Sequence, residues 1–520
     1  LRRKSGEGAM ERSAQVTLLP HGGGGAVLLP PTLLAQLGLR PGEQVLLCTQ
    51  AQRTPVRIGV AGASFHGAAI PLSGGASLPT TDTALHPAAH RPEGAAAAQS
   101  SPAARVHGAT GLGVGTVLVD PVILQRLHLP PHWPLRLRRT PDGRLHVGPF
   151  VGILCERQAG GSPYGPQTSF FRRLIRIGRS LHMVVYVFAP GDVNRLMRAV
   201  AGWTWVDGRG WVRRLFPLPH VLYDRGFVTG PVLRLQRWLR TRLGVQQFNS
   251  LVGSKWWVYR LMARHPDLRP YIPETRVLRS TADLLAMVRR HGTVYVKAAG
   301  GGKGIGIWVI SADGRGTFSY RYTDAQTRIH RGRTGNLAAI VRHLLSKPRQ
   351  PWLIQPRVDL ARWRGRIFDV RVLVQRDGRG QWHITGTGAR IGRPGSIISN
   401  LYGGGDAWPL EPVLMESLGV TPQEAAALRH HAEEIALRVA QEIDWACRRT
   451  GYVGELGIDI GIDRSGRLWF FEANSRTGRN LFRQAGLQES SRLADRRPLE
   501  FALHLAGFGP DGAHVAETFA

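Results

Sequence analysis

Gly454–Gly478 reads GELGIDIGIDRSGRLWFFEANSRTG. Leu456, Ile458, Ile460 and Ile462 alternate, which places them on one face of a strand and leaves Glu455, Asp459 and Asp463 on the other. With Arg464–Arg467 as the turn, Asp463 pairs with Leu468 and Asp459 falls opposite Glu472. Directly opposed residues have Cβ atoms roughly 5 Å apart, and two carboxylates so placed repel each other. A divalent cation between them removes the repulsion. Asn474 points to the same face as Glu472, and Gly457 opposite it leaves room for an ion. Clustered hard oxygen donors suit Mg²⁺ bridging a nucleotide's phosphates better than zinc. The bland alternative is a solvent-facing side of a hairpin, against which the apolar flank of Trp469 and Phe471 argues.

Working upstream, Tyr295–Val309 reads YVKAAGGGKGIGIWV. A strand with Lys297 leads into a loop containing Gly300, Gly301, Gly302, Lys303, Gly304 and Gly306. A loop without side chains can bring its N–H groups close to phosphate oxygens, with the two lysines supplying charge. It lacks the G-K-[ST] ending of a Walker loop. Ile305, Ile307 and Val309 predict a strand where a Rossmann turn opens a helix. Strand, glycine loop, strand is a hairpin that can fold over a nucleotide, or an ordinary glycine turn. Between the two stretches, RIFDVRVLVQ puts Asp369 and Arg371 on one face of a strand, and Arg390 lies in the strand after it. Arginines there can bind phosphate or a phosphoryl group in transfer; a surface Asp–Arg pair is the alternative.

Composition narrows the classes. At 520 residues the chain is expected to form two to four domains. No apolar run reaches the roughly 18 residues that span a bilayer. The N-terminal LRRKSGEGAMERS lacks a following apolar segment, so secretion is not expected, and Met10 is an alternative start. Cys48, Cys155 and Cys447 are far apart, which fits free thiols in a reducing cytoplasm. The net charge of +32 favours acidic ligands or surfaces. It does not single out specific nucleic-acid recognition, because the arginines are dispersed. Lysine, by contrast, is confined to Lys4, Lys255, Lys297, Lys303 and Lys347. A chain so rich in arginine keeps lysine where a compact point charge is wanted.

The pattern along the chain predicts a β-rich domain over 14–148, interrupted at about 73–105 by an Ala/Gly/Pro/Ser-rich insertion. An α/β unit over 149–245 follows, opened by strand VGILCE, amphipathic helix SFFRRLIRIGRSL and strand MVVYVFAP, and carrying a Trp-rich hairpin around Asp207-Gly208. Ser254 and Ser280 are expected to cap helices, the first carrying Lys255. Thr421, Pro422 and Glu424 open a capped amphipathic helix whose buried stripe is Leu428, Ala432, Ile435, Val439, Ile443 and Ala446. No long-period internal repeat is evident.

In this order the pieces resemble the ATP-grasp superfamily, and within it the YheC/YheD endospore-coat-associated family, over about Val151 to Phe508. The resemblance rests on FNSLVGSKWWVYRLM with PYIPET, YVKAAGGGKGIGI, PWLIQPRVDL, FDVRV with ARIG, and GIDIGID…WFFEAN. It implies two α+β lobes clamping ATP, over 246–350 and 351–508, preceded by a small α/β domain and the β-rich domain. It implies a ligase that activates a carboxylate as an acyl phosphate for attack by an amine or similar nucleophile. By position, Lys255 and Lys297 hold the ATP phosphates, and Gly301, Gly302, Lys303 and Gly304 cover them. Gln355 and Val358 border adenine, Arg371 and Arg390 meet the transferred phosphoryl group, and Asp459, Glu472 and Asn474 ligate magnesium, as two ions. A cytoplasmic, spore-coat-associated role follows from the same resemblance, as does the alternative of a non-catalytic ATP-binding coat protein. Ser254 stands where an aspartate often precedes the first lysine, and SRTG follows EAN where a proline is common.

Overall fold

The computed structural model describes residues 12–21, 24–61, 115–158, 163–250, 252–300, 306–324, 326, 328–346, 351–394 and 405–509. The expected insertion at about 73–105 lies outside them. The chain divides into two compact units, one running to Gln246 and resuming at Ala502, the other spanning Gln247–Phe501.

The first unit begins with β1 (Arg12–Pro20), β2 (Ala26–Leu29), α1 (Pro31–Leu37), β3 (Gln44–Cys48), β4 (Arg53–Val60), β5 (Thr116–Val119), α2 (Pro121–Arg126), β6 (Pro134–Arg139) and β7 (Leu145–Gly148). The strands close a barrel in the order β1-β5-β2-β4-β3-β7-β6. An internal repeat, not evident in the sequence, is built into it. The run β2-α1-β3 matches β5-α2-β6 without a gap at an offset of 90 residues, with Val27, Pro31, Leu34, Leu37 and Leu39 answered by Val117, Pro121, Leu124, Leu127 and Leu129. The first strands are exchanged: β1 pairs with β5 and β6, and β4 with β2 and β3. Two left-handed positions recur as well, Gly38 and Gly42 in one copy and His128 and His132 in the other. Replacing the glycine punctuation by histidine hides the repeat from a reading based on turn residues.

The unit continues with β8 (Phe150–Leu154), α3 (Thr168–Ser180), β9 (Val184–Phe188), β10 (Val193–Asn194), β11 (Ala199–Val206), β12 (Gly210–Pro217), β13 (Val221–Asp224) and α4 (Gly230–Leu243). β8 and β9 are parallel, as strand-helix-strand requires, and α3 buries Phe170, Phe171, Leu174, Ile175 and Gly178 at helical spacing. The Trp-rich hairpin is β11–β12. One hydrophobic cluster contains barrel residues Leu29, Ile58 and Leu135 together with Tyr186, Phe188 and Leu222 of the sheet. The boundary expected at 148/149 therefore does not separate two cores.

The short strand β14 (Gln246–Phe248) carries the chain into the second unit, where α5 (Lys255–Met262), β15 (Arg276–Val277), α6 (Thr281–His291), β16 (Thr293–Ala298), β17 (Trp308–Ala312), β18 (Phe318–Thr323), β19 (Ile329–Thr334), α7 (Leu337–Leu345) and β20 (Trp352–Pro356) follow. These strands form a sheet ordered β15-β20-β16-β17-β18-β19. Next come β21 (Arg362–Trp363), β22 (Arg366–Arg376), β23 (Trp382–Ile391), β24 (Asp406–Trp408), α8 (Leu410–Leu418), α9 (Pro422–Cys447), β25 (Glu455–Ile462), β26 (Leu468–Asn474), α10 (Asn480–Gln484) and α11 (Gln488–Leu505). The second sheet runs β24-β23-β22-β25-β26.

Helix α9 begins as expected: the Thr421 hydroxyl accepts the Glu424 N–H at 3.3 Å, and the Glu424 carboxylate accepts the Thr421 N–H at 2.8 Å. Its buried stripe is Ala425, Ala432, Ile435, Ala436, Val439, Ala440, Ile443 and Cys447; of the expected stripe, Leu428 is half-buried and Ala446 is exposed. Order along the chain assigns helix α5 to the first lobe, yet Val258, Tyr259 and Met262 join the cluster of the second sheet with Phe368, Val370 and Ile458. The last residues expected in the second lobe, from Ala502, belong to the first unit. The three cysteines are buried and none is in a disulfide among the described residues. No helix among the described residues is long and apolar enough to cross a membrane.

Candidate functional site

The polar face of the second sheet is assembled by strand register. Asp369 of β22 lies opposite Arg390 of β23, Arg371 opposite Asp459 of β25, Asp459 opposite Glu472 of β26, and Gly457 opposite Asn474. Near the turn the expected pairing is off by one: Leu468 pairs with Ile462, not Asp463. A bulge that leaves Phe471 as the extra residue brings Asp459 and Glu472 back opposite each other. The bulge also frees the Phe471 carbonyl, which accepts the Tyr259 hydroxyl.

The charges form a connected lattice. Arg390 grips Asp369 through two hydrogen bonds of 2.7 and 2.6 Å and reaches Asp459 at 2.9 Å. Arg371 donates from Nε to the other oxygen of Asp459 and from Nη1 to the Thr477 hydroxyl at 2.9 Å. All four charged side chains are buried. Burial works against ionisation of Asp459, but the guanidiniums of Arg371 and Arg390 outweigh it and hold the carboxyl below its usual range. Burial likewise disfavours the charged Arg390, and Asp369 and Asp459 reverse that effect, raising its pKa.

Lys255 opens α5, where Ser254 caps the helix through the Trp257 N–H, and the Lys255 N–H donates to Ala299 O at 3.0 Å just beyond β16. Its ammonium lies 3.4 Å from Glu472. Lys297 of β16 donates to the Tyr259 hydroxyl at 2.8 Å. Burial pulls the Lys297 pKa down to about 8, opposed by Glu472 and Asp459. The same withdrawal from water pushes the Tyr259 phenol up. Four cations, Lys255, Lys297, Arg371 and Arg390, thus face three carboxylates, Asp369, Asp459 and Glu472, and the surplus positive charge suits an anion.

Asp459, Glu472 and Asn474 supply oxygen donors on adjacent strands, with Asn474 Nδ2 3.4 Å from Asp459 Oδ2. Two carboxylates and an amide fit a hard divalent cation, and the opposing cations are what such an ion has to displace or share. Gln355 is buried on β20 beside β16 and donates to the Thr275 hydroxyl at 2.7 Å, and Val358 is half-buried just after that strand. Gly301, Gly302, Lys303 and Gly304 lie outside the described residues. The described ends of that hairpin, β16 and β17, pair antiparallel from Thr293 with Ser311 to Val296 with Trp308.

Residues 244–505 match the family model described as YheC/D-like ATP-grasp. The chain belongs to this ATP-grasp family. By that match the ATP-grasp fold occupies the part of the chain that carries both sheets of the second unit. Two relatives from Bacillus subtilis (strain 168) are the endospore coat-associated protein YheD, 28% identical with 70% of this chain and 80% of that one aligned, and the endospore coat-associated protein YheC, 22% identical over 59% and 84%. Among solved structures, the RimK domain ATP-grasp protein of Sphaerobacter thermophilus matches with 15% identity and a TM-score of 0.38, covering 69% of this chain and 99% of that one.

Several parts of the site have no signal in the sequence. Tyr259 sits one turn after Lys255, but an aromatic at that spacing reads as core. Alternation groups Glu455 with Asp459 and Asp463 on one polar face. Glu455 is instead wholly buried, paired with Arg479 and accepting from Gln375 Nε2 at 2.9 Å. Asp463 closes the turn by accepting from the Ser465 and Arg467 N–H groups and from Trp469 Nε1. Asn249, with φ of 59°, accepts the Gly454 N–H at 2.9 Å and donates to Ser475 O at 2.9 Å, tying both ends of the hairpin to one residue.

Proposed function

We propose that the chain is an ATP-dependent ligase that activates a carboxylate as an acyl phosphate for attack by an amine or similar nucleophile. The observation that carries this reading is the meeting of Lys255 with Glu472 and of Arg371 and Arg390 with Asp459 on one face that also holds Lys297 within hydrogen-bond reach of Tyr259. Asp459, Glu472 and Asn474 are the residues that hold magnesium, which when bound neutralises phosphate charge. Lys255 and Lys297 bind the phosphates, and Gly301, Gly302, Lys303 and Gly304 cover them. Gln355 and Val358 border the adenine. Arg371 and Arg390 orient and neutralise the phosphoryl group in transfer, a reaction governed by positioning and electrostatics. Thr477 holds one arm of Arg371. The relatives' names extend the proposal to a protein associated with the spore coat.

A second reading is favoured by one feature: both oxygens of Asp459 are already engaged by arginines. An ATP-grasp fold locked in that state binds nucleotide without turning it over. ADP release measured across a panel of amino acids and peptides separates the two readings. Acceptor-dependent release supports the ligase; silence with every acceptor, despite tight ATP binding, supports the non-catalytic protein.

A further inference from the structure

The first unit contains a cavity of about 550 Å³, within the size range of small-molecule sites. Its position follows from topology. β8 lies between β9 and β13 and is parallel to both; β9, on one flank, is reached directly through α3, and β13, on the other flank, only after β10, β11 and β12, so the strand order reverses at β8. Crevices at the carboxyl ends of strands beside such a reversal are where open α/β sheets bind ligands. Glu156 and Arg157 follow the end of β8, and Asp192 lies just beyond β9. Trp203 pairs with Val187 of β9 and with Arg213 of β12, which brings one aromatic wall and one cation to the same rung. Pro231 places the first turn of α4, a 14-residue helix capped by Thr229, in the lining. The positive end of its dipole therefore favours an anion there.

The charges of the lining differ in how they are used. Asp192 is neutralised by Arg213 at 2.8 Å and accepts the Ala189 N–H at 2.9 Å. Arg157 lies over the Trp203 ring, its guanidinium carbon 4.3 Å from the centroid. Among the described residues, no carboxylate is paired with Arg157 and no cation with Glu156. One uncommitted cation, one uncommitted carboxylate and an aromatic wall share one cavity.

We propose that this cavity binds a small zwitterion, a free amino acid or short peptide, with its carboxylate on Arg157 and its ammonium on Glu156. The ligand's side chain lies against Trp203. The site is built within the first unit and does not depend on how the nucleotide face of the second unit operates. Its test therefore omits ATP and Mg²⁺.

The experiment is a calorimetric titration of the full chain with alanine, glutamate, lysine and dialanine, alongside acetate and methylammonium as half-ligands. At least one zwitterion is expected to bind. A charge-assisted contact is worth enough that Arg157→Ala and Glu156→Gln should each weaken that binding roughly tenfold or more, and each half-ligand should bind weaker by a similar factor. Both side chains are exposed, so thermal unfolding of the variants should match that of the unaltered chain. The proposal is overturned if no zwitterion of the panel binds, if either variant binds as tightly as the unaltered chain, or if acetate alone matches the zwitterion.

Discussion

On the hairpin β25–β26, the carboxylates that face the site are matched by cations: Asp459 by Arg371 and Arg390, Glu472 by Lys255. On the hairpin β16–β17, Lys297 has a phenol for a neighbour and, among the described residues, no carboxylate within ion-pair distance. The first arrangement is balanced within the protein. The second keeps an ammonium out of water at a cost that shows in its lowered pKa, and a bound anion offsets that cost. A balanced lattice fixes where side chains point, whereas an unbalanced lysine marks where a ligand's charge is needed.

The comparison can be broken at the lattice first. Asp369→Ala removes the bidentate partner of a buried Arg390, and breaking a buried pair in this way typically costs about 3–5 kcal/mol. Urea unfolding of the second unit should record a loss of that size, and a loss under about 1 kcal/mol, as at an exposed pair, refutes the buried lattice. Gly457→Ala comes next. A Cβ there lies 2.3 Å from the Thr477 hydroxyl and 3.0 Å from Arg371 Nη1, so a cost of about 1–3 kcal/mol is expected in the same assay.

Lys297→Met carries the opposite sign. Below pH 8 the ammonium is charged in both folded and unfolded chains, and its withdrawal from water is a standing penalty. Between pH about 8 and 10.5 the folded chain releases the proton before the unfolded one does, so the unaltered protein gains stability as pH rises through that window. The variant should be more stable at pH 7 by about 1–2 kcal/mol, with the gap narrowing toward pH 10.5, and should bind ATP more weakly. A gap that is constant with pH contradicts this account of Lys297. The smallest effect sharpens the supporting structure: Thr421→Ala removes the cap of α9, which packs beneath β22 and β23, and should cost about 1 kcal/mol in thermal unfolding.

Strand alternation and helix caps make much of the second unit readable from residue order alone. The capping box of Thr421 and Glu424 and the alternating face of β25 are local signals. The pairing of Asp459 with Glu472 follows from a register that fails beside the turn and is restored by the Phe471 bulge, a compensation that no periodicity encodes. Tyr259, Thr477 and the Glu455–Arg479 pair are not legible because their roles arise from contacts between elements distant in sequence. The barrel's repeat is hidden because His128 and His132 take the left-handed positions that Gly38 and Gly42 mark in the other copy.

Isothermal titration of ATP with Mg²⁺ into the full chain, beside Lys297→Ala and Glu472→Ala, addresses the central claim most directly. A nucleotide held by the lysines and the carboxylate hairpin predicts that both variants lose affinity, at least tenfold for removal of a charged contact, and that omitting Mg²⁺ reproduces the loss in Glu472→Ala. Undiminished binding in both variants contradicts the site.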